Sequence, residues 1–208
     1  MTPGNRRGEA TRRQILDAAQ RHLLANGYAG TRVEHVAADA GVGVGTVYLH
    51  FDNKSGLYSA VMLRAEATLL DDYLAPAFDL PLPPWERIRA WCRAYVAFTV
   101  EHPELARLMG AIEWSEATWN PEVRRHVRER IAASYARLHA LFEEAAERDE
   151  LHGTPPEIAS RLVWWSMFGI AAQNLRHTEL SLEPDALRRL VDSGVHMLSG
   201  GRLPPETP

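Results

Sequence analysis

Thr31-Arg32-Val33-Glu34-His35-Val36-Ala37-Ala38-Asp39-Ala40-Gly41-Val42-Gly43-Val44-Gly45-Thr46-Val47-Tyr48-Leu49-His50-Phe51 is the stretch on which the fold turns. Its apolar residues recur at helical spacing through Val33, Val36, Ala37 and Ala40, stop at Gly41, and resume from Val44 to Phe51. The opening Thr31-Arg32-Val33-Glu34 matches a capping box, in which the Thr31 oxygen serves the Glu34 amide and Glu34 reaches back to Thr31. Two short helices joined by a glycine turn predict a helix-turn-helix. Val36, Ala37, Ala40, Val42, Val47 and Phe51 can close the small core between them. That leaves Val44, Gly45, Thr46, Tyr48, Leu49 and His50 more exposed on the second helix, where contact with base edges in a major groove requires access.

Outward from this stretch the same periodicity continues. Helices are predicted over 10–26, 32–39, 44–50, 54–74, 84–101, 104–115, 121–149, 156–178 and 184–198, about nine in all. Pro76, Pro81, Pro83 and Pro84 form the densest proline cluster and read as a linker or a long inter-helix loop. Composition agrees with an all-α chain: 29 Ala and 24 Leu favour helix, against 19 Val plus Ile. The longest uncharged stretch, Leu162 to Leu175, is too short and too polar to span a bilayer. The start carries Arg6, Arg7, Arg12 and Arg13 but no apolar run of the secretory kind, so a cytoplasmic protein is expected. The single Cys92 excludes an intrachain disulfide and a multi-cysteine zinc site.

Charge is unevenly placed. Residues 1–60 hold seven basic and five acidic side chains, while residues 61–208 hold 16 and 22. The front of the chain is therefore the better nucleic-acid candidate, although chance segregation of surface charge explains so small an excess equally well. Arg6, Arg7, Arg12 and Arg13 form either an arm against phosphates and the minor groove or a solvated tail.

From Ile15 to about Leu63 the chain resembles the tetracycline-repressor (TetR) family of transcriptional regulators. The matching residues are Ile15-Leu16-Asp17-Ala18-Ala19, Gly27-Tyr28, Thr31, Val36-Ala37, Ala40-Gly41-Val42, Gly45-Thr46-Val47-Tyr48-Leu49-His50-Phe51 and Lys54-Ser55-Gly56-Leu57. One position departs: the family usually has Ser or Thr after the turn valine, and here Gly43 offers no side-chain oxygen to cap the second helix. The resemblance implies an N-terminal three-helix helix-turn-helix domain, residues 1–56, followed by a larger helical effector-binding and dimerisation domain, residues 57–208. It implies that Val44, Thr46 and Leu49 face the bases and that Gly45 lets the backbone approach. Tyr48, His50 and Lys54 would hold phosphates, and the Thr31 helix start another. Lys54 has separate support, because it is the only lysine and opens a helix where the macrodipole opposes its charge. A solvated lysine, a core Tyr48 and a packing His50 are the plain alternatives.

The segment 156–178 is apolar on nearly every face, so it needs cover on two sides. The last helix carries a stripe of Leu187, Leu190, Val191, Val195 and Leu198, with Arg188, Arg189 and Asp192 expected to face away. Together with Trp165 this stripe is the expected interface of a homodimer; burial at the centre of one domain is the alternative. All six tryptophans follow residue 84. Family members commonly bind a small effector among these helices, and Trp91, Tyr95, Phe98, Met109, Trp114, Tyr135, Trp164 and Phe168 are lining candidates, each of which could equally be core. Asn174, His177, Glu113 and Glu116 are candidate polar selectors.

The function expected is a DNA-binding regulator, read as a repressor, that binds a palindromic double-stranded operator as a homodimer and is released by a small, mostly apolar effector. A DNA-binding interaction protein without an effector is the alternative, and a helical enzyme the weaker one. Gly41-Val42-Gly43-Val44-Gly45 lacks the preceding strand and the spacing of a dinucleotide loop. Neither HExxH nor G-x-S-x-G occurs, and no catalytic residue, metal or cofactor is expected.

Overall fold

The computed structural model describes residues 3–112, 120–176, 179 and 181–201, and every regular element among them is helical. In order these are α1 (Pro3–Gly30), α2 (Val33–Asp39), α3 (Val44–Phe51), α4 (Lys54–Ala67), a π-helical stretch (Thr68–Leu74), α5 (Ala75–Phe78), α6 (Pro84–Glu101), α7 (Pro103–Ile112), α8 (Pro121–Glu147), α9 (Pro156–Leu175) and α10 (Pro184–Leu198). Since α4, the π-helical stretch and α5 follow without a break, the predicted helix 54–74 is present and runs one turn further. Proline at the first helical position of α6, α9 and α10 sets their starts, because its fixed φ suits a helix and its missing N–H has no partner there anyway.

The chain forms two compact units. One comprises residues 1–66 with 107–127, the other 67–106 with 128–208. The division falls within a continuous helical run, ten residues beyond the boundary expected at 56, and the first unit takes in a segment from the middle of the chain. Of the two readings of the proline cluster, the structure has the inter-helix loop. Pro76 lies inside α5 and Pro84 opens α6, while Pro81 and Pro83 shape the short loop between these helices within the second unit.

In the first unit, Ile15, Ala18 and Ala19 of α1, Val36 and Ala37 of α2, Val47 and Phe51 of α3, and Leu57, Val61 and Met62 of α4 share one core, with Leu108 of α7 packed into it. Arg64 fixes α4 against α1 by donating to Asp17 Oδ1 at 2.6 Å, to the Leu16 carbonyl oxygen at 3.4 Å and to the Gln20 side-chain oxygen. Arg21 of α1 donates to Asp39 of α2 at 2.9 Å. Gly56 must be glycine: a Cβ there would lie 2.2 Å from the Phe51 carbonyl oxygen. That close approach lets α4 start directly behind α3, with Asn53 Oδ1 accepting from the Gly56 amide at 2.8 Å as its cap.

In the second unit, α6 is the central helix, and both α9 and α10 pack on it. Ile88, Trp91 and Cys92 of α6 are fully buried, as are Leu138 and Phe142 of α8 and Leu187 of α10. Ion pairs tie the periphery: Arg93 to Asp192 at 2.7 Å, Arg130 to Asp71 at 2.8 Å, Arg137 to Asp79 at 2.6 Å, and Arg87 to Glu144. Asp192, expected to face away, thus points into the unit because it neutralises the half-buried Arg93. No helix among the described residues is long and apolar enough to cross a membrane.

Candidate nucleic-acid interface

The turn between α2 and α3 is set by Gly41, whose φ of 67° belongs to the left-handed region that side chains resist. Gly43 then caps α3 with backbone alone, at φ −74° and ψ 149°, accepting from the Thr46 amide at 2.9 Å. Val47 and Phe51 anchor α3 inside the core. The opposite face carries Gly45, Tyr48 at 41% exposure and Leu49 at 82%, with Thr46 and His50 half-buried beside them. Val44, expected to be exposed, is partly buried and packs on the core. A helix held from behind and bare in front is the geometry that a groove-reading element requires.

Thr31 departs from expectation. It is 3% exposed, its hydroxyl donates to the Gly27 carbonyl oxygen at 2.7 Å, and its amide donates to the same oxygen at 3.2 Å. Gly27 has φ 65° and breaks the helical φ/ψ run of α1, so its carbonyl offers a nearby acceptor that wins the hydroxyl. The capping box therefore does not form: Arg32 takes the N-cap of α2 with no side-chain cap bond. Exposed Arg32, rather than buried Thr31, presents a side chain to solvent at this helix start.

Lys54 is held in place. Its Nζ donates to the Ala29 carbonyl oxygen at 3.4 Å and lies 4.6 Å from the centre of the Tyr28 ring. Although Lys54 opens α4, its ammonium sits against a carbonyl oxygen and an aromatic face, both of which favour a cation. Arg12 lies 5.0 Å from the centre of the Phe51 ring. Arg6, Arg7, Arg12 and Arg13 are exposed along α1, which starts at Pro3, so they project from a helix and not from an irregular arm.

In the second unit the candidate effector residues fall into separate groups. Trp91 stacks on Trp164 with centroids 5.5 Å apart and on Tyr95 at 6.1 Å; Phe168 meets Tyr95 at 5.5 Å, and Tyr135 meets Trp164 at 5.4 Å. Phe98 belongs elsewhere, against Tyr73 and His102. Met109 packs on the core of the first unit. Asn174 is also reassigned, since its Oδ1 accepts the Leu182 amide at 2.6 Å and its carbonyl accepts the Ser181 hydroxyl at 3.3 Å. It shapes the loop after α9. Trp114, Glu113, Glu116 and His177 lie outside the described residues.

A polar group beside the rings escaped the sequence reading. Fully buried Ser160 bonds Tyr135 Oη at 3.0 Å and His139 Nδ1 at 3.1 Å, while His139 Nε2 lies 3.6 Å from Glu143. The signal was a hydroxyl on the inward stripe of α9 with Val163 and Met167. The buried Trp91 Nε1 has no hydrogen-bond partner among the described residues.

Of the expected interface residues, Leu187, Val191 and Val195 are buried within the chain itself. The outward face consists instead of Ile158, Leu162 and Trp165 on α9 and Leu190, Met197 and Leu198 on α10, with Trp165 66% and Leu190 47% exposed.

Residues 15–61 match the family model described as bacterial regulatory proteins of the tetR family, and residues 88–198 match the tetracyclin repressor-like C-terminal domain. The HTH-type transcriptional repressor SCO4008 of Streptomyces coelicolor is 30% identical over 140 residues, 67% of either chain. AibR, solved in complex with isovaleryl coenzyme A and operator DNA, shares the fold with a TM-score of 0.73 at 23% identity, over 94% of this chain and 100% of that one. FadR of Bacillus subtilis, solved with stearoyl-CoA, does so with a TM-score of 0.68 at 20% identity, over 91% and 98%. With both halves matched, and a helix-turn-helix built as described, the chain belongs to the TetR family of DNA-binding bacterial transcriptional regulators.

Proposed function

We propose that two copies of this chain form a dimer that represses transcription by holding a palindromic operator, and that a small molecule bound among the helices of the second unit releases it. The observation that carries this reading is the bare face of α3, with Tyr48 and Leu49 exposed on a helix whose other side is core. Exposed apolar residues on α9 and α10 supply the dimer contact, since a soluble chain seldom leaves so many large apolar side chains on adjacent helices in water. Two recognition helices then enter major grooves about 34–36 Å apart, or a multiple of that.

The effector site is the ring group of Trp91, Tyr95, Tyr135, Trp164 and Phe168. Flat rings favour an aromatic or otherwise apolar ligand, and the unpartnered Trp91 Nε1 favours one that carries a hydrogen-bond acceptor. Release requires the ligand to prefer the dimer conformation with misplaced recognition helices, a coupling typically of about 1–3 kcal/mol. The role is binding and not turnover. Fluorescence titration of the tryptophans with candidate aromatic ligands, run beside operator release measured by anisotropy of labelled duplex, tests it. Ligands that quench and release together support the proposal. Quenching that never changes DNA affinity overturns the effector role, and failure to retain any duplex overturns operator binding.

A further inference from the structure

The exposed face of α3 has an uncommon chemistry for reading DNA. From Val44 to Phe51 it contains no Arg, Lys, Asn, Gln, Asp or Glu, the side chains that pair with the hydrogen-bonding edges of guanine, adenine and cytosine. Val47 and Phe51 are spent on the core, Val44 packs against it, and the His50 ring is tilted against Phe51 with centroids 6.1 Å apart. What stands furthest out is Leu49, at 82% the most exposed large apolar side chain among the described residues. Leu49 stabilises nothing within the protein from there. Its contribution comes only when an apolar surface meets it.

In the major groove one base edge offers such a surface, because only thymine presents a methyl group. Gly45 lies one turn before Leu49 on the same face, and no heavy atom comes within 4 Å of where its Cβ would be. With no side chain at Gly45 the backbone of α3 can approach the bases closely enough for a leucine to touch a methyl. We infer that Leu49 reads the 5-methyl group of thymine in each half-site, so that methyl contact, and not bidentate hydrogen bonding from α3, sets the sequence preference. This rests on the operator-binding reading above.

The test begins with selection by the full-length protein from a library of random duplexes. The best selected duplex is then made twice, once with thymidine and once with 2′-deoxyuridine, which lacks only the methyl. Wild type loses about fourfold in affinity for each methyl that Leu49 touches, or about fifteenfold for one in each half-site. Leu49→Ala, which removes no packing from the fold, keeps the wild-type melting temperature and binds the two duplexes alike. Equal wild-type affinity for the two duplexes overturns the inference, as does full wild-type discrimination by Leu49→Ala. Recovery of no duplex overturns operator binding as well, whereas recovery of duplexes indifferent to deoxyuridine overturns the thymine reading alone.

Discussion

Lys54 Nζ donates to the Ala29 carbonyl oxygen across 3.4 Å, which joins the start of α4 to the end of α1. The only lysine of the chain thus completes the C-terminus of one helix while standing next to the recognition element. Lys54→Met keeps the apolar stem against the Tyr28 ring and removes the charge. The expected loss of stability is about 0.5–1 kcal/mol, read from urea unfolding. Operator affinity falls for all sequences alike, and the slope against log salt drops by about one for each phosphate that the ammonium no longer neutralises. An unchanged slope restricts Lys54 to its structural role.

Gly43 and Gly56 make opposite predictions. Nothing crowds a Cβ at Gly43, where Thr46 Oγ1 is the nearest atom at 4.0 Å, and φ there is an ordinary −74°. Gly43→Ser supplies the missing cap oxygen and raises stability by a few tenths of a kcal/mol, roughly the difference between the two residues as caps. At Gly56 the Phe51 carbonyl oxygen blocks any Cβ. Gly56→Ala forces α3 and α4 apart and costs at least about 1–3 kcal/mol, visible as a lower melting temperature.

The dimer reading separates residues that the sequence placed on one stripe. Trp165→Glu and Leu190→Glu put charge on exposed positions and should give folded monomers with weakened operator binding, checked by sedimentation and circular dichroism. Val195→Glu buries a carboxylate without a partner and should prevent folding, at a cost of several kcal/mol, about the level at which buried unpaired charges are diagnostic. Wild type sedimenting as a monomer at micromolar concentration would refute the interface.

Burial pushes the Cys92 thiol up to about 12, with the Asp192 carboxylate adding to the rise. Ellman's reagent should leave it untouched at pH 8 in the native protein and react fully after unfolding in urea. Because the fold favours the neutral thiol, its stabilisation is complete below the ordinary value of 9 and declines as pH rises from there towards 12. Tyr73, raised from 10 to about 12 mainly by the hydrogen bond it donates to Glu101, declines with the same sign from a later start. Cys92→Ala should remove the part of the alkaline loss that begins near 9, read from urea midpoints across that range.

The sequence by itself determined which segments are helical, where the glycine turn falls and which family the chain resembles. These depend on local chemistry: apolar period, left-handed Gly41, and proline at helix starts. Only the tertiary structure decided what each surface meets. Leu187 and Leu190 lie three residues apart and look equivalent as pattern, yet α6 covers the side of α10 that holds Leu187 and leaves Leu190 in water. Thr31 had the right neighbours for a capping box, but the kink at Gly27 brought a carbonyl oxygen within 2.7 Å of its hydroxyl. Asn174 could have faced a ligand until the Leu182 amide arrived from the next loop. Periodicity fixes the angle at which a side chain leaves its helix; what waits there is set by elements distant in the chain, and burial and hydrogen-bond partners follow from that.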